Sequence, residues 1–235
     1  MAEAYWDLER ELQQQGFDYC YDKRLYDWLE KGPPERVWGH LQADLSHQEG
    51  LVRFIENHDE RRAAAAFPGK GRAAAVVVAT LPGASLFHEG QLEGRRIRLP
   101  VFLGRRPVEP VDEELQDFYR RLLAEAASPV LRDGEWRLLE VTGWPDNQGC
   151  RSLVAWRWSR GGDRRVVVVN LADVAAQGRV RIPWRELAGQ RWHLTDLLPG
   201  TVYERDGDEL LGKGLYVDLP AAGYHVLRLS KGGAA

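Results

Sequence analysis

The chain has 235 residues, a formal net charge of −3 and 44% hydrophobic residues, enough for one large domain or two ordinary ones. Its isoelectric point of about 6.1 argues against a general nucleic-acid or membrane-surface binder. No apolar run approaches the roughly 20 residues of a membrane helix, and the N-terminus shows neither the basic nor the apolar region of a secretion signal, so a cytoplasmic location is expected.

Cys20 and Cys150 are too few for a disulfide framework and lack zinc-ligand spacing, so free thiols are expected, with no metal and no cofactor.

The two parts of the chain read differently. Up to about residue 128, helical patterns alternate with short strand-like runs. Tyr5 to Gln15 is helix-favouring, and Gly16 follows it as a C-terminal cap would. Phe17 to Tyr21 alternates aromatic and polar residues, a short strand. Asp22 caps a helix over Lys23 to Glu30, which stops at Gly32-Pro33-Pro34. Glu35 to Leu45 reads as another helix, Leu51 to Glu56 as a strand and Gly71 to Thr80 as a helix of small residues. Ala84 to Phe87 is a short strand. Val111 to Ala127 is an amphipathic helix with Asp112 as its cap and Leu115, Phe118, Leu122 and Leu123 on one face. This alternation marks a parallel sheet, whose chemistry lies at the C-terminal ends of its strands.

From about residue 129 the chain reads as strand and turn. Strands are expected over Trp136–Val141, Ser152–Trp158, Arg165–Leu171 and Arg179–Pro183, then Trp192–Asp196, Val202–Glu204, Leu215–Leu219 and Tyr224–Leu229. Arg160-Gly161-Gly162-Asp163 and Asp206-Gly207-Asp208 read as turns between them. Spacing and pattern predict an antiparallel sandwich. Trp156 and Trp158 lie two apart on one strand face, so they share either core or surface.

The most informative segment is Phe54-Ile55-Glu56-Asn57-His58-Asp59-Glu60, where an apolar strand runs straight into a polar cluster. A second carboxylate, Glu3, lies in Met1-Ala2-Glu3-Ala4-Tyr5-Trp6. Two carboxylates at two strand ends suggest acid–base chemistry. The plainer readings stand beside this one. An Asn-His-Asp after a strand is often a turn with a capping Asp, and Glu3 alone would be a solvated terminal residue. Tyr5 and Trp6 read as packing residues and His88 as an exposed loop residue. The run Arg95-Arg96-Ile97-Arg98 with Arg105-Arg106 reads as a solvated loop pairing with nearby acids.

Phe54 to Asp59 resembles the Phe-x-x-Asn-His-Asp strand-seven motif of alpha-amylase family glycoside hydrolases. Glu3-Ala4-Tyr5-Trp6 resembles that family's strand-five motif, and Gly90-Gln91-Leu92-Glu93 its glycine-containing loop after strand eight. The resemblance covers nearly the whole chain and implies an α/β fold: the C-terminal half of a (β/α)8 TIM barrel over 1–128, followed by an all-β antiparallel sandwich domain over 129–235. It implies that Glu3 is the general acid/base and Asp59 the carboxylate that grips sugar hydroxyls in the transition state, with Asn57 and His58 flanking the sugar. The implied partner is an oligosaccharide or α-glucan, without nucleic acid or membrane. The family's nucleophilic aspartate lies on strand four, which this reading places ahead of Met1. The expectation is therefore part of a retaining hydrolase or transglycosylase acting on α-glucosidic linkages, or a non-catalytic carbohydrate-interacting module. Half a barrel also leaves open strand edges through which the chain could self-associate.

Overall fold

The computed structural model describes residues 1–3, 8–100, 102 and 104–232. Tyr5 and Trp6 lie outside the described residues. The first helix, α1 (Glu9–Gln14), ends at Gly16, whose φ of 101° is the left-handed conformation expected of a helix-terminating glycine. Strands β1 (Cys20–Tyr21), β2 (Leu51–Arg53) and β3 (Ala84–Ser85) then form a parallel sheet in that order. Ala2 adds a parallel bridge to Cys20 on the opposite edge of β1. Parallel neighbours need long crossovers. Between β1 and β2 these are α2 (Lys23–Lys31), α3 (Pro34–His40) and α4 (Leu45–Glu49); between β2 and β3 they are α5 (Ala63–Ala66) and α6 (Gly71–Thr80).

Local sequence explains these boundaries. The Asp22 carboxylate accepts the Leu25 N–H at 3.1 Å and starts α2, which buries Leu25, Tyr26 and Leu29 on one face. Gly83 precedes β3 at φ +93°, and a Cβ there would lie 2.4 Å from the Leu51 carbonyl oxygen, so only glycine lets this chain approach β2. Helix α6 is buried from Ala73 to Thr80, as its unbroken run of Ala and Val demands.

Several expectations need correction. The helix expected over 35–45 is two helices, because Asp44 adopts an extended backbone (ψ 140°) and restarts the chain at Leu45. The strands expected over 17–21, 51–56 and 84–87 contract to two or three residues. Phe17 and Tyr19 are exposed, and after Arg53 the chain turns to present its polar cluster.

Helix α7 (Glu113–Ala126) is capped by Asp112, which accepts the Leu115 N–H at 2.9 Å, and buries Phe118, Tyr119 and Leu122. A short helix α8 (Pro129–Asp133) leads into the β region. There β4 (Glu135–Leu139), β6 (Leu153–Arg160), β7 (Asp163–Asn170), β9 (Arg191–Asp196), β10 (Val202–Asp206) and β12 (Tyr224–Lys231) make a six-stranded sheet. Its order is β10-β9-β12-β7-β6-β4, with antiparallel pairing throughout. Strands β5 (Val141–Thr142), β8 (Ala176–Val180) and β11 (Leu215–Leu219) make a three-stranded antiparallel sheet.

The strand-only reading of this region missed α8 and α9 (Gly207–Lys213). Pro129 is pre-organised for the first turn of α8, and the Asp206 side chain accepts the Glu209 N–H at 3.0 Å. The sequence taken as a turn is thus a helix cap.

The six-stranded sheet is buried on both faces. One face meets the small sheet through Ala155, Val166, Val168 and Leu227 against Val180, Leu215 and Val217. The other, with Val154, Trp156, Trp158, Val167 and Val169, joins the core built on α6. That is why Val166 to Val169 form an unbroken apolar run, each 0% exposed, rather than alternating with polar residues. Trp156 and Trp158 both belong to this core, and both indole N–H groups donate to the Thr80 carbonyl at the end of α6, at 3.1 and 2.7 Å. Cys20 and Cys150 are free thiols. Among the described residues the parallel sheet does not close into a barrel, and no helix is long and apolar enough to cross a membrane.

Candidate active site

The site begins with an anchored strand end. Phe54 packs on Tyr21 and Tyr26, with ring centroids 5.3 and 5.6 Å away, and Ile55 is fully buried. These contacts fix the chain just before it surfaces. Asn57 then shapes the exit: its Oδ1 accepts the N–H groups of Asp59 at 2.9 Å and Glu60 at 2.8 Å, an Asx turn. The Asn57 side chain is 3% exposed, and its Nδ2 has no hydrogen-bond partner among the described residues. Asn57 is thus a turn former under the surface.

The turn projects His58 and Asp59, each about half exposed, with Nε2 3.5 Å from Oδ2. Glu3 follows Ala2, whose parallel bridge to Cys20 brings the start of the chain to the same end of the sheet. One nitrogen or oxygen from each of Glu3, His58 and Asp59 lies within 4.8 Å of the others. Residues 56 positions apart in sequence are thereby brought together. Such a group has the spacing to hold a divalent ion as well as a sugar; exposed acids often cluster without one. Burial raises the Tyr21 phenol, and the Glu3 and Asp59 carboxylates raise it further. Tyr21 therefore stands near both acids, a neighbour that its place at the end of β1 could have flagged.

Beneath the surface lies a network that sequence reading missed. Glu56 is 0% exposed and accepts from Arg62 Nη1 at 2.5 Å and from the Ala63 N–H at 2.7 Å. His88 Nδ1 lies 3.1 Å from the same carboxylate. Arg62 also donates to the carbonyls of Glu89 at 2.5 Å and Ile97 at 3.1 Å. The buried charge is thus paired and hydrogen-bonded, the condition under which burial is tolerated. The network ties the turn after β2 to the loop after β3. His88 is therefore a partner of buried Glu56, and not a free loop residue. The signal was a glutamate ending the apolar run Phe54-Ile55.

Gln91, in the loop after β3, is buried. It accepts the His88 N–H at 3.2 Å and donates to Tyr119 Oη at 3.0 Å. Burial drives the Tyr119 phenol up, to about 12 in the net, although the Gln91 hydrogen bond pulls it down; the Glu56 charge adds to the rise. The basic loop pairs as expected: Glu109 accepts the Arg96 N–H at 2.7 Å, and Arg106 pairs with Glu89.

A second buried ionic group stands beside β2. Asp22 accepts from His40 Nε2 at 2.9 Å, with Arg53 Nε 3.5 Å away. Burial lowers Arg53 to about 10, against the pull of Asp22. Burial works to raise the Asp22 carboxyl, but His40 and Arg53 outweigh it and leave it below the usual range.

No protein-family model matches the chain, and no curated protein matches it. Solved structures do. A maltogenic alpha-amylase from Thermotoga neapolitana superposes with a TM-score of 0.75 at 18% identity, covering 96% of this chain and 53% of that one. An Anoxybacillus alpha-amylase gives 0.73 at 17% identity, over 99% and 52%. A debranching enzyme from Nostoc punctiforme gives 0.66 at 17% identity, over 96% and 49%. The chain spans about half the length of these structures, and over that half its fold is the fold of alpha-amylase family enzymes.

Proposed function

We propose that the chain carries the acid/base side of a retaining glycoside hydrolase or transglycosylase site for α-glucosidic linkages. The observation that carries this reading is the convergence of Glu3, His58 and Asp59 at one end of a parallel sheet within an amylase-like fold. In it, residues 1–128 are the C-terminal half of a (β/α)8 barrel and residues 129–235 a sandwich domain. Two free cysteines suit a reducing, cytoplasmic setting.

The chemistry follows from the groups. Glu3, exposed at the rim, protonates the departing glycosidic oxygen and later deprotonates the incoming water or sugar hydroxyl. Asp59 accepts hydrogen bonds from ring hydroxyls and grips them harder as the ring flattens towards an oxocarbenium ion, which is differential binding of the transition state. His58 hydrogen-bonds a neighbouring hydroxyl, and Asn57 holds the turn that aims both. Glu56, Arg62 and His88 keep the two loops in register. Retention also needs a carboxylate nucleophile roughly 5 Å from the acid. Among the described residues no third carboxylate joins this cluster, so the reading assigns the nucleophile to further polypeptide.

The second reading, a carbohydrate-interacting module without turnover, is favoured by that same incomplete set. Purified chain incubated with maltotriose separates the two. Binding that Asp59→Asn weakens, without turnover, fits the acid/base side of a divided site. Turnover by this chain alone would mean that the Glu3–Asp59 pair is itself complete, with Asp59 as nucleophile. Binding indifferent to Asp59→Asn and Glu3→Gln would remove the site from this position.

Among the described residues Ala2 and β3 lie at the two edges of the parallel sheet, and pairing along these edges with a second copy or with further barrel strands is the route by which the chain would self-associate. Sedimentation showing a concentration-independent monomer would count against self-association.

A further inference from the structure

The Glu3–His58–Asp59 group has a geometry that asks for more than a sugar. His58 Nε2 stands 3.5 Å from Asp59 Oδ2. Ligand atoms in a tetrahedral Zn2+ shell lie roughly 2.1 Å from the metal, and so roughly 3.4 Å from one another. Two donors are thus already spaced as one edge of such a shell. A Glu3 oxygen lies within 4.8 Å of both, and a turn of its exposed side chain closes the difference. The Asx turn at Asn57 holds the other two in place, its Oδ1 accepting the N–H groups of Asp59 and Glu60.

A fourth side chain faces the group. The Tyr21 N–H donates to the Ala2 carbonyl at 3.1 Å, which sets Glu3 beside Tyr21 across the parallel bridge. The Tyr21 ring packs on Phe54 at the root of the Asn57 turn, with centroids 5.3 Å apart, and its phenol feels the charges of both Glu3 and Asp59. Tyr21 is only 6% exposed, yet among the described residues its hydroxyl makes no hydrogen bond. A buried hydroxyl without a partner points to a ligand or to a group that a ligand brings into place. The charges suit a cation. Two carboxylates converge, and among the described residues no lysine or arginine pairs with Asp59. Lys23 is engaged by Asp27 and Glu60.

We propose that Glu3, His58 and Asp59 bind a divalent transition-metal ion of the Zn2+ class, with the Tyr21 hydroxyl donating to a ligating carboxylate. Two carboxylates balance the charge of the ion, and three protein ligands leave a fourth position to water. The imidazole selects a Zn2+-like ion over Ca2+, which takes six to eight oxygen ligands. A hydrogen bond from outside the ligand set fixes the carboxylate that Tyr21 reaches. The site needs only these donors, so it stands whether or not the acid/base reading holds. Its ligands come from segments far apart in the chain, and no ligand-spacing motif announces it.

The test is a calorimetric titration of the metal-free chain with Zn2+ and, separately, with Ca2+, read alongside the ring-proton NMR shifts of the six histidines. The expected result is one Zn2+ per chain, a shift confined to His58, and Ca2+ binding weaker by at least about tenfold. Asp59→Asn and His58→Gln each remove a ligand at a half-exposed position where folding is not at stake, and each should weaken Zn2+ binding by at least about a hundredfold. Tyr21→Phe keeps the ring packing and should weaken it about tenfold. The proposal is overturned if Zn2+ does not bind, if it moves other histidines and not His58, if any of the three substitutions leaves its affinity unchanged, or if Ca2+ binds as tightly. Metal binding is read without saccharide or turnover, so this proposal and the acid/base reading fail separately.

Discussion

The parallel sheet and the antiparallel sheets distribute polar groups differently. Strands of the parallel sheet are two or three residues long, and Asp22, Arg53, Glu56, Asn57 and Arg62 are buried among them. The main antiparallel sheet has strands of five to eight residues and a core run of four valines. In the first region the backbone ladder is brief, and side-chain networks hold the loops. In the second, the ladder and apolar packing hold almost everything. The lesson is that specificity sits where buried charges fix loops, and stability where apolar faces meet.

The largest expected effect comes from breaking the seam that joins the two. Trp156→Ala removes a fully buried indole and one of the two hydrogen bonds to Thr80, and should cost about 4 kcal/mol. Urea unfolding followed by hydrogen exchange should show the parallel region opening before the antiparallel sheets. A single cooperative loss with uniform exchange would contradict the contrast drawn here.

Next comes the Asp22 group. Asp22→Asn leaves Arg53 buried with its charge less compensated, and should cost about 3 kcal/mol in the same urea assay. Acid should act on the same place. Burial depresses His47 below its ordinary 6.5, so the unfolded chain takes up that proton more readily, and stability falls as pH drops below about 6.5. Asp22 is depressed too. Its contribution is present above the ordinary value of 3.8 and is lost as pH falls through the lower folded value. Exchange protection in α2 to α4 should therefore fade first on acidification. Earlier fading in the antiparallel sheets would reverse the comparison.

The smallest effect is at the surface. Arg10 and Asp44 pair at 2.8 Å but are both well exposed, so Asp44→Ala should shift stability by no more than about 0.5 kcal/mol.

Much of this was legible in sequence. Helix α6 and strand β11 follow unbroken apolar or alternating patterns, and Asp22 and Asp112 cap their helices as their positions announce. The turn at Asn57 was visible as a strand ending in polar residues. What escaped were features set by tertiary contact. Glu56 reads as one more polar residue of a cluster, and only the arrival of Arg62 and His88 makes it a buried hub. Asp206-Gly207-Asp208 carries turn chemistry and helix-cap chemistry equally, and Leu187 and Leu210, buried in one core, favour the helix. The meeting of Glu3 with Asp59 was expected from the family resemblance alone, because no local pattern encodes the parallel pairing of Ala2 with Cys20 that brings the start of the chain to the site.

The central proposal is that Glu3 acts as the general acid. It is tested most directly by Glu3→Gln in any polypeptide that pairs this chain with the proposed nucleophile, comparing turnover of an aryl α-glucoside bearing a good leaving group with turnover of maltotriose. An activated leaving group needs little protonation, so the account predicts a far smaller loss on the aryl glucoside than on maltotriose. Equal losses on both substrates would show that Glu3 does not protonate the leaving oxygen.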